Sequence, residues 1–413
     1  MADDLTYDPY DQAIDENPHP TWRRLRDEAP LYRNDKLGFY ALSRYDDVLP
    51  ALTDWHTYSS GRGTVLELID PLAPDPEGYT EGQMMIFTDP PFHDTLRGLV
   101  SRSFTPRRVG SMEARVRELC RAGLDELAGA GSSGFDYLGD FAGQIPAMVI
   151  GELLGIPKED QRQLGHWTDQ FMHYDPDLDP PGEVLGVKQL GPVRVAGMKN
   201  LVGYLEATID ARTAAPADDM ISHLVTAEVP LPDGGTRKLS RPELSSFVML
   251  LFTAGAETTA RLLGWTAVLL ARHPDQRATL RGDRSLLPGA VEELLRYESP
   301  SPIQARWVTR DVELHGEVVP RGSKMALLNA SANRDERHFV DADRFDIART
   351  ADRNVAFGYS AHFCLGAALA RLEGRVVLDE TLDRLPEWQV DESQIEFVRT
   401  TTVRGPAKVP ITF

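Results

Sequence analysis

The sequence predicts a single, mainly α-helical domain with small β-sheets that spans residues 1–413. Apolar residues recur at helical spacing along most of the chain, whereas short strand patterns gather near residues 31–42, around 303–331 and at the carboxyl end. A chain of 413 residues exceeds the usual size of one core, so the length allows one large domain or two modest ones. No Gly/Ser-rich linker, internal repeat or charge block divides it, which favours one domain.

The predicted elements follow in order from local patterns. The stretch TWRRLRDEAP predicts a short helix, LYRNDKLGFYALSR predicts two strands around a turn at 35–38, and VPLPDGGTRKLS predicts a hairpin. Two segments, 61–87 and 173–184, lack periodicity and are either lids or binding loops, or plain surface excursions. Long helical patterns cover residues 89–104, 107–129, 138–155, 158–173, 186–213 and 218–227.

The longest helix is predicted after the hairpin. Ser240 and Glu243 form a capping box at its start, and Pro274 closes the run. The helix has about 34 residues and a length of roughly 50 Å, so it would cross the whole domain. Its apolar part is long enough to resemble a membrane span, but Glu257 and Arg261 near the middle would be costly in lipid. We therefore expect a buried helix rather than a membrane span.

Composition and charge exclude several classes of function. Hydrophobic residues make up 42% and charged residues 26%, as in an ordinary globular protein that can bury a sizeable core. The net charge of −19 would repel nucleic acid and anionic membranes, so neither is expected as a partner. The acidic amino terminus, MADDLTYDPYDQAIDENPHP, carries no signal peptide or membrane anchor, and we expect a cytoplasmic protein.

The two cysteines have different surroundings. Cys120 lies at helical spacing with Val116 and Leu124 and is expected to be a small core residue, and a disulfide to the distant Cys364 is not expected. Cys364 lies at or just before a helix start, where amide donors and the helix dipole favour a thiolate. Zinc would need about four ligands, which the stretch HFC does not offer. A nucleophile, a single axial ligand to haem iron and a structural cysteine all stay open on this pattern.

The residues around Cys364 narrow the choice. The stretch FGYSAHFCLG resembles the cysteine-ligand loop of the cytochrome P450 family, whose pattern is Phe-Gly-x-Gly-x-His-x-Cys-x-Gly. Ser360 departs from it, because the family usually has glycine there. A serine at positive φ is strained by on the order of 1 kcal/mol, so the loop is either slightly reshaped or has an ordinary backbone angle at this position. The matching residues are Phe357, Gly358, His362, Cys364 and Gly366.

Three further segments resemble the same family in the same order, so the resemblance covers essentially the whole chain. AGAETT, residues 254–259, resembles the oxygen-binding segment of the central helix, and DPPFHDTLRGLVSRSFTPR resembles the helix beneath the haem. ELLR resembles the Glu-x-x-Arg pair, and DADRFDIAR resembles the segment that completes its polar cluster. Taken singly, Glu-x-x-Arg is most often a surface ion pair. The implied structural cluster comprises Glu293, Arg296 and Arg344.

The resemblance implies the cytochrome P450 fold, with the long central helix crossing a haem b group that Cys364 ligates. Gly255 would let the helix backbone approach the haem beside Ala254, or would simply allow a tight helix crossing. Thr258 can bond back to the Ala254 carbonyl and open a groove for oxygen, and Glu257 would relay protons. Alternatively, the Thr258 hydroxyl only completes its own hydrogen bond to the helix backbone, and Glu257 forms an ion pair with an arginine. The implied partners of the buried haem propionates are His93, Arg97, Arg306 and His362.

The implied activity is that of a monooxygenase that uses O2 to hydroxylate or oxidatively dealkylate a mostly apolar small molecule. No reductase domain is visible in the sequence, so a separate ferredoxin and an NAD(P)H-dependent ferredoxin reductase are expected to supply electrons. Two alternatives are a peroxygenase of the same fold, which intact Glu257 and Thr258 disfavour, and a haem-binding or sensing protein without turnover. The positions that would line the substrate pocket are Met84, Ile86, Leu250, Ala254, Pro302, Ile303 and Thr401.

Overall fold

Helices form most of the chain in the computed structural model, which describes residues 5–70, 82–129, 133–173, 191–230, 234–350, 353–400 and 402–413. Within these ranges the α-helices are α1 Gln12–Glu16, α2 His19–Glu28, α3 Tyr45–Thr53, α4 Phe92–Ser101, α5 Pro106–Gly110, α6 Glu113–Gly129, α7 Gln144–Leu154, α8 Lys158–Met172, α9 Pro192–Ala214, α10 Met220–Thr226, α11 Arg241–Arg272, α12 Pro274–Gly282, α13 Leu287–Tyr297, α14 Asn329–Ala332 and α15 Ala367–Arg384.

The strands are short and form small sheets. Five of them make the largest sheet, in the order β1-β2-β10-β7-β3, with β10 parallel to β2 and antiparallel to β7. A three-stranded sheet has the order β11-β14-β4, and β5-β6, β8-β9 and β12-β13 are two-stranded. Their bounds are β1 Leu31–Asn34, β2 Phe39–Leu42, β3 Tyr58–Ser59, β4 Gly134–Asp136, β5 Glu228–Pro230, β6 Thr236–Lys238, β7 Gln304–Val308, β8 Val312–Leu314, β9 Glu317–Val319, β10 Lys324–Leu327, β11 Gln389–Val390, β12 Glu396–Phe397, β13 Pro406–Lys408 and β14 Pro410–Thr412.

Helix α11 is the predicted central helix, and both of its ends confirm the sequence signals. The Ser240 hydroxyl accepts from the Glu243 amide, and the Glu243 carboxylate accepts from the Ser240 amide at 2.7 Å, which completes the capping box. Arg272 is its last residue, and Pro274 begins α12. From Thr259 to Leu270 every residue is buried, because α7, α9, α13 and α15 pack around this helix. Within the described ranges, no helix combines the length and apolarity that crossing a membrane requires.

The largest core cluster surrounds α11 and draws on α6, α7, α13 and α15. Two smaller clusters lie against the five-stranded sheet, one centred on Tyr45 and Phe339 and the other on Trp22 and Phe39. Cys120 is fully buried in the main cluster, as its spacing predicts. The functional residues predicted from the sequence therefore come from both the helical part and the sheet part of the chain.

Most predicted elements are found, with two differences in the helices, whereas residues 71–81 and 174–184 of the two aperiodic segments and 186–190 of the predicted helix 186–213 lie outside the described residues. The pattern at 107–129 is divided into α5 and α6, because the chain leaves helical geometry after Gly110 and Ser111, which favour turns over helix. The pattern at 138–155 begins as a π-helical turn, Tyr137–Ala142, before α7. The two strands at 31–42 and the hairpin after α10 lie as predicted. The assignment of all 413 residues to one domain stays a prediction.

Candidate active site

Cys364 lies three residues before α15, at the end of a loop held by backbone hydrogen bonds. Its amide donates to the Phe357 carbonyl at 2.8 Å, and the Ala367 amide donates to the Cys364 carbonyl at 3.3 Å. These bonds fix both sides of the cysteine, and the residue as a whole is exposed, although surrounding protein desolvates its sulfur. The position at a helix start is therefore as the sequence predicts, and the thiol is open to a bound group.

The thiol has no simple preference for the charged form. Burial of the sulfur by surrounding protein raises its pKa, and this effect outweighs a hydrogen bond from the Gly366 amide and the charges of Arg97 and Arg371. The amide donor near the helix start therefore acts in the direction that the sequence predicts, but in this structure burial outweighs it. The three favourable groups nevertheless surround the sulfur, and they would support negative charge once a cation such as iron compensates the burial.

The loop has two residues in the left-handed region. Gly358 has φ = 66°, which glycine adopts without strain, and Ser360 has φ = 59°. Ser360 therefore keeps the backbone angle that the family glycine would adopt, and the alternative of an ordinary angle is wrong. The loop accepts local strain at Ser360 rather than changing shape.

Cationic and imidazole side chains gather beside the cysteine. The rings of His93 and His362 lie 4.3 Å apart between centroids. Arg306, on β7, is only 3% exposed, and burial lowers its pKa to about 10. Its guanidinium donates to the Ala305 carbonyl at 2.8 Å. Arg97, on α4, interacts electrostatically with Cys364.

These residues fit a dianionic haem. Among the described residues, neither Arg97 nor Arg306 forms an ion pair with a carboxylate, and Nε2 of His362 is buried without a hydrogen-bond partner. Buried cations and donors of this kind are costly unless a ligand completes them, and two propionates would do so. A Cβ added to Gly366 would meet no protein atom within 4 Å, so the space beside this loop is open. Haem ligation by Cys364 with propionates at these four side chains stays a prediction that the geometry supports.

Gly255 lies where α7 and α11 cross closely, which is the alternative interpretation of this residue. A Cβ built on Gly255 would lie 3.0 Å from Cγ1 and 3.3 Å from Cβ of Ile150, which is on α7. The glycine thus allows α7 and α11 to approach closely, and its role in letting the helix backbone approach the haem stays a prediction. Its neighbour Ala254 is exposed although it lies in the middle of the buried helix. That exposed position is consistent with a bound group against this part of α11.

Thr258 and Glu257 both make side-chain contacts within α11. The Thr258 hydroxyl donates to the Ala254 carbonyl at 2.9 Å, four residues earlier in α11. The Glu257 carboxylate is 2% exposed and pairs with Arg261 at 3.3 Å and with His173 at 2.7 Å. Burial would raise the pKa of Glu257, but the charges of Arg261 and His173 together lower it. Glu257 therefore is a charged, tightly held carboxylate in this structure.

The Glu-x-x-Arg cluster is present with a different third member. Arg296 binds Glu293 through two hydrogen bonds, of 2.7 and 2.9 Å, and both side chains are buried. Arg349 contacts both carboxylate oxygens of Glu293 at 3.1 Å. Arg344 was predicted in this role, but its side chain is 67% exposed and pairs with Asp346. The turn carries Arg344 outward, and only its carbonyl takes part, accepting from Arg296 and Arg349.

The predicted substrate positions have varied surroundings. Met84, Ile86, Leu250 and Ile303 are half-buried apolar side chains, and Pro302 is buried. Leu250 packs against the main core cluster, whereas Ile303 packs against the cluster that contains Trp22. That these positions form one pocket stays a prediction. Thr401 lies outside the described residues.

Two features of the site were not found from the sequence. The sequence places His173 where the helical pattern 158–173 meets the aperiodic segment 173–184, and its contact with Glu257 joins residues 84 positions apart, which a single sequence does not indicate. Arg371 lies with its guanidinium 4.6 Å from the centre of the Phe357 ring and close to Cys364. Its position about one turn into α15 favours a contact with the preceding loop.

Comparisons with known proteins agree with this site. Residues 198–411 match the family model for cytochrome P450. Cytochrome P450 123 of Mycobacterium tuberculosis is 40% identical over 99% of this chain and 97% of the relative, and vitamin D(3) 25-hydroxylase of Pseudonocardia autotrophica is 38% identical over 96% and 94%. The structure of cytochrome P450 CYP109Q5 from Chondromyces apiculatus superposes with a TM-score of 0.82, at 33% identity over 98% of this chain and 97% of that one. The chain therefore belongs to the cytochrome P450 family and, as a bacterial-type member, is a haem-iron monooxygenase.

Proposed function

We propose that this enzyme inserts one oxygen atom of O2 into a C–H bond of a mostly apolar small molecule, with Cys364 as the axial ligand of the haem iron. The observation that carries the proposal is the group of uncompensated cations and donors, Arg97, Arg306 and His362, beside an exposed cysteine at a helix start. When bound, thiolate-ligated haem supplies the electron-rich iron that favours cleavage of the O–O bond. Ligand positioning, proton transfer and substrate binding depend on the side chains of this protein.

Cys364 is held in place by its loop. Its amide is bonded to the Phe357 carbonyl at 2.8 Å, and the Gly366 amide donates to the sulfur. A hydrogen-bond donor directed at a thiolate stabilises its negative charge and fixes its orientation. The Gly366 amide would therefore adjust Cys364 as an iron ligand, in addition to stabilising the loop. Arg97 and Arg371 add positive charge on the protein side.

Protons for the reaction are proposed to pass through Glu257 and Thr258. The buried Glu257 carboxylate is the acidic group on the middle of α11, and the Thr258 hydroxyl is its neighbour in the chain. The hydroxyl donates to the Ala254 carbonyl, so its oxygen keeps lone pairs free to accept from water at the exposed Ala254 position. Thr258 would then hold a water that donates a proton towards the oxygen-binding part of the site. Glu257 would supply a replacement proton to that water.

An apolar substrate is favoured by the side chains at the positions that the family uses for its pocket. Met84, Ile86, Leu250 and Ile303 are half-buried and carry no charge, so the free energy of binding would come from removal of apolar surface from water. A relative of similar length is named vitamin D(3) 25-hydroxylase, and its name denotes an apolar substrate. The proposed class is therefore an apolar small molecule of the same general kind.

Electrons are proposed to come from NAD(P)H through a ferredoxin reductase and an acidic ferredoxin. Arg102, Arg107 and Arg108 are exposed, and none of the three forms an ion pair among the described residues. By contrast, Arg115, Arg117 and Arg121 on α6 are all paired with carboxylates. Unpaired arginines on an otherwise acidic protein would attract an acidic partner and steer its approach. They follow directly on α4, whose Arg97 interacts with Cys364.

The proposed function is tested by replacement of Thr258 with alanine. Thr258→Ala should retain haem and substrate binding but divert NAD(P)H to peroxide, because the water that Thr258 orders would lose its position. Thr253→Ala is the matched control, since Thr253 also lies on α11 and donates to the carbonyl four residues earlier, at 2.8 Å. Equal coupling of NAD(P)H to product in wild type and Thr258→Ala would contradict the proposal, as would equal losses in both variants.

A further inference from the structure

Glu257 belongs to a group of three side chains on the face of α11 that meets α8. Its carboxylate, the Asp169 carboxylate and a ring nitrogen of His173 each offer an atom within 4.8 Å of the other two. Asp169 lies in the last turn of α8 and His173 caps its carboxyl end, so both residues lie at the same end of that helix. The Asp169 and Glu257 carboxyl groups lie close enough to interact, and a hydrogen bond between them requires a proton on one of them, because two carboxylates can only accept.

Solvent reaches this group through a crevice of about 260 Å³ between α7, α8, α11 and β13. Asp169 and Glu257 both line the crevice, but Asp169 is exposed whereas Glu257 is 2% exposed. Water in the crevice therefore meets Asp169 first. The crevice ends at the carboxylate that the proposed mechanism uses as its proton source.

The charges around the two carboxyl groups favour one location for the shared proton. Although Asp169 as a whole residue is exposed, the protein packed around its carboxyl group desolvates it and raises its pKa, and the negative charge of Glu257 raises it further. For Glu257, Arg261 and His173 outweigh burial and lower the pKa. The proton therefore resides on Asp169 at rest, while Glu257 remains a carboxylate. The charged and titratable groups that face Asp169 are His166 and Arg162 on α8, His173 at the carboxyl-terminal cap of α8, and Glu257 and Arg261 on α11.

We propose that Asp169 is the entry point for catalytic protons, which it takes from water in the crevice and passes to Glu257. In this step protonated Asp169 and ionised Glu257 become ionised Asp169 and protonated Glu257, and a hydronium proton from solvent, carried through the crevice water, then reprotonates Asp169 and leaves neutral water. Protonated Glu257 loses its ion pairs with Arg261 and His173, so its side chain is released to turn towards the Thr258 side of α11. Asp169 acts only through Glu257 and is a positioning residue. This inference rests on the proposed function and adds the solvent side of its proton path.

The test is Asp169→Asn, which keeps the size and hydrogen bonding of the side chain but carries no exchangeable acid proton. In the haem-loaded resting protein, infrared titration should show a protonated carboxyl group that titrates above the range of ordinary aspartates, and Asp169→Asn should lack it. The turnover number should fall about tenfold, less than the full effect of a general acid, because water can partly replace the relay. Turnover driven by hydrogen peroxide, which brings its own protons, should be unchanged.

The pH profile separates a relay from a merely structural residue. Wild-type turnover should decline as pH rises through the raised pKa of Asp169, and this step should be absent from Asp169→Asn. Asp169→Glu restores a carboxyl group and should restore the step. His166→Gln is the control, because His166 lines the same crevice of α8 but lies outside the group of three.

Three results of the turnover assays would overturn the proposal. They are an unchanged pH profile in Asp169→Asn, an equal loss of turnover in His166→Gln, and failure of Asp169→Glu to recover activity while Asp169→Asn still folds and binds haem. An infrared spectrum without the shared-proton titration would overturn it independently of turnover. Absence of any substrate oxidation by wild type would instead contradict the proposed function, and the infrared arm would still decide whether the carboxyl pair shares a proton.

Discussion

Ser360 adopts a backbone conformation that ordinarily belongs to glycine. Its φ of 59° lies in the left-handed region, where a Cβ is crowded by the following carbonyl. The side chain is exposed, and the flanking Gly358 has a similar positive angle. The cysteine loop therefore stores a small strain at the one position where its sequence departs from the family pattern.

Ser360→Gly should raise the free energy of unfolding. Glycine relieves the left-handed strain but costs more backbone entropy, so the net gain should be about 0.5 kcal/mol. Chemical denaturation of the haem-loaded protein measures it. Ala361→Gly is the control, because Ala361 has no positive φ and should lose about 1 kcal/mol instead. A loss of stability in Ser360→Gly would show that the serine hydroxyl makes a contact that offsets the strain.

Glu373 is a second residue whose environment has a measurable consequence. It lies on α15, is 2% exposed, and has a carboxylate oxygen without a hydrogen-bond partner. Burial raises its pKa to about 8 from an ordinary value of 4.5. The folded state therefore holds a proton between these two values that the unfolded state releases, and the free energy of unfolding falls as pH rises through this window.

Glu373→Gln should abolish that fall. At pH 8 the variant should be more stable than wild type by on the order of 3 kcal/mol, since each pKa unit corresponds to about 1.4 kcal/mol. At pH 4 the two proteins should be alike. Glu380→Gln, on the same helix, is the control, and its expected change in stability is opposite. Arg121 and Arg117 outweigh burial and lower the pKa of Glu380, so this variant should lose stability at neutral pH. Parallel pH curves for wild type and Glu373→Gln would contradict the account.

Secondary-structure elements explain which site residues the sequence could identify. Thr258, Glu257 and Cys364 lie within or beside long helices whose caps and periodicity are readable, so their local geometry could be predicted. Arg349 could not be distinguished from Arg344, because both lie in an irregular turn where a shift of a few residues carries no periodic signal. His173 and Asp169 reach Glu257 only through the packing of α8 on α11, which no local pattern contains.

The reassigned polar cluster gives a paired test at the level of elements. Arg349→Gln should lower the free energy of unfolding by about 2 kcal/mol, because the buried Glu293 keeps only Arg296 as its cation. Arg349 also donates to the carbonyls of Val340 and Arg344, at 2.6 and 2.8 Å, and so fixes the turn. Arg344→Gln should change stability by less than about 0.5 kcal/mol, because its side chain is exposed. The reverse order of the two effects would restore the prediction made from the sequence.

At the scale of the whole molecule, the sequence is sufficient for the fold class and insufficient for its connections. Helix spacing, the capping box of α11 and the turn before β2 predict a mainly helical protein with small sheets. In the five-stranded sheet, however, β2 pairs with β10 and β3 pairs with β7, and each of these partners lies more than 240 residues later in the chain. Only tertiary packing decides these pairings. The haem-side residues Arg306 and His362 come together in the same way, from different parts of the chain.

The distribution of charge over the molecule leads to a test of the electron partner. Changing Arg102, Arg107 and Arg108 to glutamate should slow ferredoxin-driven reduction at least tenfold at low salt, on the scale of electrostatic steering. It should also flatten the salt dependence, while peroxide-driven turnover stays intact. Arg281→Glu on α12, another exposed arginine, is the control. Equal loss in ferredoxin-driven and peroxide-driven assays would indicate a damaged fold, and no loss in either would locate the docking surface elsewhere.

The central claim is that Cys364 ligates the haem iron, and the spectrum of the reduced carbon monoxide complex tests it most directly. Wild type should show the strongly red-shifted Soret band that thiolate ligation produces, and Cys364→His should lose that band while haem stays bound. Cys120→Ala, which changes the buried core cysteine, should keep the band. Persistence of the red-shifted band in Cys364→His, or its loss in Cys120→Ala with the fold intact, would contradict the assignment of Cys364.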